Sequence, residues 1–186
     1  MRTRNILMML IAMVTMSGTN VKAQQVFKAK KVLVAYFSWS GNTRSVANQI
    51  AELTDGKLFG IQTTTPYPKE YRLCTEVAKK EKEANARPEL KTKVDNINTY
   101  DVIFVGYPNW WGTAPMAIWT FLESYNFSGK TVIPFCTHGG GGEQNCFKDF
   151  VKHTEKATIK KGFLINGGSV NSARTKVEKW LHEIDH

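Results

Sequence analysis

Short apolar runs alternate with amphipathic stretches along most of this 186-residue chain. Apolar runs of strand length predict strands buried on both faces, and apolar residues at helical spacing predict the helices that cover them. No repeat or linker-like segment interrupts the pattern. The alternation therefore predicts one α/β domain of three layers, with a doubly wound, five-stranded parallel sheet between two layers of helices.

The predicted elements follow this apolar pattern. The predicted strands are Val32–Phe37, Lys57–Ile61, Tyr100–Gly106, Val132–Cys136 broken by Pro134, and a fifth strand made of Ile159 and Phe163–Ile165. The predicted helices are Thr43–Leu53, Lys69–Asn85 with Tyr71, Cys74, Val77 and Ala78 on one face, one that begins after Pro115, one that contains Phe147, Phe150 and Val151, and one that carries Ala173, Val177, Trp180, Leu181 and Ile184. Ligands of such sheets bind beyond the carboxyl ends of the strands, so chemistry is expected in the loops after strands one, three and four.

The loop after the first strand, Ser38-Trp39-Ser40-Gly41-Asn42-Thr43, combines hydroxyl and amide side chains with one glycine. It opens into a helix, whose first N–H groups and positive dipole end favour an anion. The spacing matches neither a Walker loop nor a GxGxxG fingerprint. Taken alone, the loop is equally consistent with a phosphate site and with a helix N-cap by Ser40 or Asn42.

Two adjacent tryptophans mark the loop after the third strand, Tyr107-Pro108-Asn109-Trp110-Trp111-Gly112-Thr113-Ala114-Pro115. Because neighbouring side chains in a turn face different ways, we expect at least one indole to be exposed, where an aromatic ligand could stack on it. Burial of both indoles under a neighbouring helix is the alternative.

Four consecutive glycines mark the loop after the fourth strand, Thr137-His138-Gly139-Gly140-Gly141-Gly142-Glu143. Glycines permit close approach of the backbone to a flat ligand, and their N–H groups would be free to bond ring carbonyls. A flexible surface loop is the alternative, although the place of the loop at the predicted ligand edge argues against it.

The three loops together resemble those of the flavodoxin family, and the resemblance extends from about Lys31 to the C-terminus. It implies a short-chain flavodoxin-like sheet of order 2-1-3-4-5 with FMN at the switch point. The residues that would hold the FMN phosphate are Ser38, Ser40, Gly41, Asn42 and Thr43. Trp110 or Trp111 would stack on the isoalloxazine. Further residues expected at the flavin are Pro108, Asn109, Gly112, Thr113, His138, Gly139, Gly140 and Gly141.

The resemblance implies electron transfer through FMN, with no catalytic acid or base. Unlike typical flavodoxins, this chain is basic, and it has His138 and glycines where they offer a tyrosine. The His-Gly-Gly run followed by an acid is similar to that of flavodoxin-like quinone reductases. An FMN-dependent NAD(P)H:quinone-type reductase is therefore the alternative, with His138 as the catalytic proton donor. A flavin-free binding domain that retains the fold is a third alternative.

The first 23 residues have the pattern of a secretory signal peptide. Arg2 and Arg4 precede the apolar run Ile6–Val14, and small residues lead to a cleavage site after Ala23. The apolar run is far shorter than the ~20 residues that span a bilayer, which disfavours a membrane anchor. We predict an exported protein, periplasmic or secreted, with a single mature domain over residues 24–186 and no stable membrane insertion.

Charge and cysteine content narrow the expected partners. The net charge is +9, and about +6 remains without the signal segment. The lysines are scattered and no aromatic–basic motif is present, so a nucleic acid is not an expected partner. The expected partner is a redox protein or a small electron acceptor, in particular an acidic one. Cys74, Cys136 and Cys146 lack CxxC spacing. Export permits disulfides, and Cys136 and Cys146 flank one loop and could approach each other, but buried free thiols are favoured. The histidines show no metal-ligand spacing with the cysteines.

Overall fold

The computed structural model describes residues 27–185, so the predicted signal peptide lies outside the described residues. The strands are β1 (Val32–Tyr36), β2 (Lys57–Gly60), β3 (Val102–Pro108), β4 (Thr131–His138), β5 (Thr158–Ile159) and β6 (Phe163–Asn166). The helices are α1 (Asn42–Thr54), α2 (Tyr71–Glu83), α3 (Met116–Glu123), α4 (Cys146–Lys152) and α5 (Arg174–Ile184), with 3₁₀ turns at Ile97–Thr99 and Gly167–Ser172. Among these described residues, no helix is long and apolar enough to cross a bilayer.

The strands of the described residues form one parallel sheet in the order β2-β1-β3-β4, with β5 and β6 both paired to the outer side of β4. The predicted order 2-1-3-4-5 is confirmed. The fifth strand, however, is split into two pieces. Gly162 lies between these pieces and packs so closely on Phe147 that a Cβ there would be 2.7 Å from the ring. The chain crosses this ring before it rejoins the sheet as β6.

The predicted break at Pro134 is wrong, because β4 continues through it. The carbonyl of Val132 accepts the N–H of Lys160 at 3.4 Å. The backbone polar groups of every second residue of β4, Pro134 included, therefore point towards β5 and β6. Pairing on that side stops after Val132 and resumes at Phe135. The proline therefore lies opposite the gap between β5 and β6, where no ladder hydrogen bond requires an N–H.

Helices cover both faces of the sheet, as the alternating pattern predicted. Helices α1 and α5 pack on one face through buried residues that include Ile50, Val177 and Leu181. Helices α3 and α4 pack on the other face through residues that include Phe121 and Phe150. Each face removes a continuous apolar surface from water, and this burial is the main stabilising term of such a fold.

Two helices expose residues that the sequence pattern assigned to an apolar face. In α2, Cys74 and Ala78 are buried, whereas Tyr71 is 71% exposed and Val77 is 36% exposed. In α4, Val151 is 46% exposed. Helix α2 begins late because the Glu70 side chain accepts the N–H groups of its first turn and fixes its start. The helix thus lies at the edge of the domain and forms a wall of the cavity described below.

All three cysteines are buried and free, as predicted. Cys136 lies on β4, where its thiol donates to the carbonyl of Thr137 at 3.6 Å, and it interacts with Cys146 at the start of α4. The interaction with Cys146 and burial raise the pKa of Cys136, so the thiol is protonated at neutral pH.

Candidate functional site

The loop between β1 and α1 presents free backbone N–H groups. Gly41 makes the turn with φ of 94°, a conformation that favours glycine. The Ser38 hydroxyl oxygen accepts the N–H groups of Gly41 and Arg44, each at 3.2 Å. Ser38 therefore caps the helix, and the alternative of a cap by Ser40 or Asn42 is wrong. The N–H groups of Asn42 and Thr43 have no acceptor within residues 27–185. They are available to an anion at the start of α1.

This loop is fixed to the carboxyl edge of the sheet by two further contacts. The hydroxyl of Thr43, which is buried, is hydrogen-bonded to the hydroxyl of Thr137 at the end of β4, at 2.9 Å. Gly167 lies so close to Asn42 that a Cβ there would be 2.4 Å from its Nδ2 atom. Both contacts set the start of α1 against the ends of β4 and β6, so the loop is held in place before any ligand binds.

A tight turn in the loop after β3 separates the two tryptophans. Trp110 and Thr113 exchange backbone hydrogen bonds of 2.9 and 3.2 Å, and the two central residues, Trp111 and Gly112, have φ of 54° and 84°. Positive φ at both central residues is the geometry of a type I′ turn. Trp110 is half-buried and Trp111 is 49% exposed, so the expectation of at least one exposed indole is confirmed.

Trp110 is held between two other aromatic rings. Phe37 and Tyr67 meet it edge-to-face, with ring centroids 5.3 and 5.0 Å away. The Tyr67 hydroxyl donates to the Glu81 carboxylate on α2 at 2.6 Å. Burial raises the pKa of Tyr67, and it also raises the pKa of Glu81, although the hydrogen bond from Tyr67 acts on Glu81 in the opposite direction. The position of the Trp110 indole thus depends on the ring of Tyr67, which is anchored to α2 through Glu81.

Trp111 is exposed but docked on α2. Its indole N–H donates to the carbonyl of Thr75 at 3.0 Å, and the ammonium of Lys79 lies 5.6 Å from its ring centroid. The ammonium of Lys82 donates to the Trp111 carbonyl. These contacts hold a bulky residue at positive φ. This conformation costs free energy and persists only where the surrounding structure enforces it.

The glycine run after β4 wraps around His138. The imidazole Nδ1 accepts the N–H groups of Gly140 at 3.1 Å and Gly142 at 3.3 Å, so the ring proton lies on Nε2. The φ values of these glycines, 131° and 69°, are open to few other residues. Two of the N–H groups expected to be free for ring carbonyls are therefore used by His138. Those of Gly139 and Gly141 have no acceptor in the described part of the chain.

The loops after β3 and β4 are hydrogen-bonded to each other through Asn109. Its backbone N–H donates to Thr137, its side-chain N–H to the carbonyl of Gly142, and its side-chain oxygen accepts the N–H of Gly112, at 2.7, 2.8 and 2.9 Å. Thr113, predicted at the flavin edge, is buried and donates to Asp149 at 2.8 Å. The polar atoms of these two side chains thus hold the site together.

A cavity of about 530 Å³ lies between the three loops and α2, within the range of small-molecule sites. The predicted site residues that line it are Ser40, Asn42, Pro108, Asn109, Trp110, Trp111, His138 and Gly139. Ser38 and Gly41 line a smaller cavity beside the same loop, and Gly112 and Gly141 line an adjoining open cleft. Thr43, Thr113 and Gly140 line none of these three cavities. The structure thus brings residues of all three predicted loops together around one space.

The wall formed by α2 is the part of the site that sequence reasoning missed. The cavity-lining residues outside the predicted set are Trp39, Tyr71, Cys74, Thr75, Ala78 and Thr137. The apolar spacing in α2 was visible, but an apolar stripe on a helix predicts burial without saying what covers it. Burial and the nearby Glu81 raise the pKa of Cys74 to about 11, so the thiol in this wall is protonated at neutral pH and is not a nucleophile.

Comparison with known proteins identifies the family. The profile of the flavodoxin family matches residues 31–184, which is most of the chain. The chain belongs to the flavodoxin family. The flavodoxin fold covers the whole described domain, and the family assignment from the three loops is confirmed. Among the curated proteins no match is found.

Solved structures agree with this family assignment. A candidate flavoprotein from Bacteroides eggerthii has 34% sequence identity and a TM-score of 0.72, over 84% of this chain and 99% of that chain. One from Bacteroides uniformis has 36% identity and a TM-score of 0.71, over 83% and 99%. A flavoprotein from Lactobacillus acidophilus, solved in complex with FMN, has 25% identity and a TM-score of 0.67, over 77% and 98%.

Proposed function

We propose that this flavodoxin binds FMN in the cavity between the three loops and acts in electron transfer. The observation that carries the proposal is the free N–H pair of Asn42 and Thr43 at the start of α1, beside a cavity walled by Trp110. The N–H pair suits a phosphate, and the Trp110 indole suits a flat ring. The FMN complex of the Lactobacillus acidophilus flavoprotein supports the same cofactor.

The residues present fit FMN without rearrangement. The N–H groups of Asn42 and Thr43, with the Ser40 hydroxyl, would hold the phosphate. Among residues 27–185, no acidic residue lines the cavity to repel it. Trp110 and the loop after β4 would flank the ring, while Thr75 and Ala78 of α2 keep water from its side. Bound FMN supplies the redox chemistry, and the protein sets its orientation and polarity. Among residues 27–185, no group of side chains could hold a metal ion.

Titration of the purified protein with FMN and with riboflavin tests the proposal. Riboflavin has the same ring and no phosphate, so FMN is expected to bind at least about tenfold more tightly, as charge-assisted hydrogen bonds to N–H groups predict. Quenching of flavin fluorescence gives both dissociation constants. Equal affinity for the two flavins would show that the loop does not bind the phosphate. A protein that is colourless as purified and whose melting temperature FMN does not change would contradict the proposed function.

A second function, an FMN-dependent reductase of quinones or similar acceptors, is favoured by His138. This residue lines the cavity, and its fixed Nδ1 leaves the Nε2 proton available for delivery to an acceptor. Anaerobic mixing of the FMN-loaded protein with NADH or NADPH separates the two functions. Rapid bleaching of the flavin supports the reductase, and an unchanged flavin spectrum supports the electron carrier.

We also propose that the protein is exported and that its electron partner is acidic. The N-terminal pattern ending at Ala23 supports export. The net charge of about +6 that remains without the signal segment supports an acidic redox protein or a small anionic acceptor. Mass spectrometry of the protein from its native compartment should show a mature N-terminus at Gln24. Association with the partner should weaken as salt is added, because screening acts on exposed charges.

A further inference from the structure

A second concave surface lies on the other side of the phosphate loop, towards β2. Two adjoining cavities of about 460 and 240 Å³ share five lining residues: Ser38, Trp39, Ser40, Ile61 and Gln62. We call this surface the β2-side groove. Only Trp39 and Ser40 also line the proposed FMN cavity, so the loop separates the two spaces. A ligand in the groove would therefore lie next to the FMN phosphate without occupying its place.

Three cations that line the groove have no side-chain partner in the described part of the chain. Arg44, Lys69 and Lys91 are exposed, and none of their side chains makes an ion pair or hydrogen bond within residues 27–185. Other basic side chains, such as Arg72 and Arg87, are paired with glutamates. The groove thus gathers positive charge that the described part of the protein does not neutralise.

Acidic residues are absent from the described lining of the groove. Glu70, beside Lys69 in sequence, is turned to the start of α2, where it accepts the N–H groups of Arg72 and Leu73 at 2.8 and 2.9 Å. The remaining polar lining consists of hydroxyl and amide groups, including those of Gln62 and Thr64. This composition favours an anion with several oxygen atoms.

Aromatic side chains form the other part of the lining. Trp39 is fixed by its indole N–H, which donates to the carbonyl of Pro68 at 2.8 Å, and Tyr67 is fixed by its bond to Glu81. Both line the cavity that also contains Lys69 and Lys91. Held aromatic faces beside unpaired cations suit a ligand that combines a flat ring with phosphates. A volume of about 460 Å³ is that of a small-molecule site.

We propose that the β2-side groove binds a nucleoside diphosphate group, free or as part of a dinucleotide, next to the bound FMN. Lys69, Lys91 and Arg44 bind the phosphates, and Trp39 and Tyr67 contact the base. The proposal depends on the proposed function only in assigning the other side of the loop to FMN.

Calorimetric titration of the FMN-loaded protein with ADP, adenosine and inorganic phosphate tests this proposal. ADP is expected to bind in the micromolar range, at least about tenfold more tightly than adenosine or phosphate, because it alone engages both ring and cations. Its dissociation constant should rise with salt. The double variant K69A/K91A should weaken ADP binding about tenfold or more and leave FMN affinity unchanged. The matched control K148A/K156A removes two exposed lysines that line none of the cavities and should change neither affinity.

Three results would overturn the proposal. One is the absence of ADP binding to FMN-loaded protein. A second is displacement of ADP by FMN, which would place ADP in the FMN phosphate loop. The third is equal weakening by the two double variants, or equal binding of poly-glutamate, since either would indicate attraction to net charge alone. If FMN itself fails to bind, the same titration of the unliganded protein still tests the groove, so the two proposals fail separately.

Discussion

The hydrogen bond between Tyr67 and Glu81 links α2 to the wall of the cavity, and we expect its removal to be measurable. The phenol donates to the carboxylate at 2.6 Å, and both residues are half-buried. A hydrogen bond to a charged group contributes about 1.5–3 kcal/mol, and partial solvent exposure reduces this value. Y67F should therefore lower the free energy of unfolding by about 1–2 kcal/mol at pH 7.

The pH dependence of this loss follows from the pKa of Glu81. Burial raises that pKa in the folded state, so the protein loses stability as the pH rises from about 4.5 through the folded value. The bond from Tyr67 lowers the pKa, so Y67F should raise it further and extend this loss to higher pH. At pH 4 the carboxyl is protonated in both proteins, and the penalty of Y67F should be smaller than at pH 7. In the E81Q background, which retains an acceptor for Tyr67, the penalty of Y67F should no longer depend on pH.

Urea unfolding of the FMN-free proteins, followed by circular dichroism at pH 4, 5.5 and 7, measures these changes without the stabilisation that a ligand adds. Y125F is the matched control. The Tyr125 hydroxyl accepts the N–H of Val94 at 2.7 Å, so its loss involves no carboxylate and should not depend on pH. A Y67F penalty as large at pH 4 as at pH 7, or a Y67F penalty that still depends on pH in the E81Q background, would refute the reasoning.

Other consequences of the structure concern the aromatic wall, the sheet and the acid-sensitive groups. W110A should weaken FMN binding by about two- to tenfold in fluorescence titration, the worth of one aromatic contact, and more than W111A does. G106A should destabilise the fold by about 2 kcal/mol or more in urea unfolding at pH 7, because its Cβ would lie 2.0 Å from the buried ring of Phe135. G139A should change stability little, because no atom of residues 27–185 lies within 4 Å of the Cβ that it would add. Burial lowers the pKa of His153, so stability should fall as the pH drops through about 6.5; H153Q should flatten the melting temperature between pH 7 and 5.5.

The sequence was sufficient to predict the sheet because strands buried in a parallel sheet are continuous apolar runs. The runs of β3 and β4 are the clearest examples. The ends of these runs then located the loops of the site. The fifth strand was predicted as one because the apolar pattern does not record that Gly162 must cross the ring of Phe147. The break predicted at Pro134 was wrong for a related reason. The free-energy cost of a proline in a strand depends on whether the adjacent strand presents a carbonyl that needs an N–H there, and this depends on the pairing of the whole sheet.

The details of the site depended on contacts between segments distant in sequence. Ser38 caps α1 because Gly41 turns the chain at positive φ, and residue types in the loop do not distinguish this from a cap by Ser40 or Asn42. The apolar face of α2 was recognised, but Tyr71 at its start is exposed beside the cavity. A stripe that packs in a core and one that walls a cavity have the same spacing.

The glycine run after β4 has a role different from the one its composition indicated. A loop of four glycines would ordinarily be mobile, yet here Gly140 and Gly142 donate to His138 while Gly142 accepts from Asn109. Only residues without a side chain readily adopt the positive φ values that bring both N–H groups to one imidazole. The glycines thus fix the histidine, and the histidine fixes the loop. Because Asn109 joins this loop to the tryptophan turn, the cavity is bounded by one connected structure, which favours binding of a rigid flat ligand without loop closure.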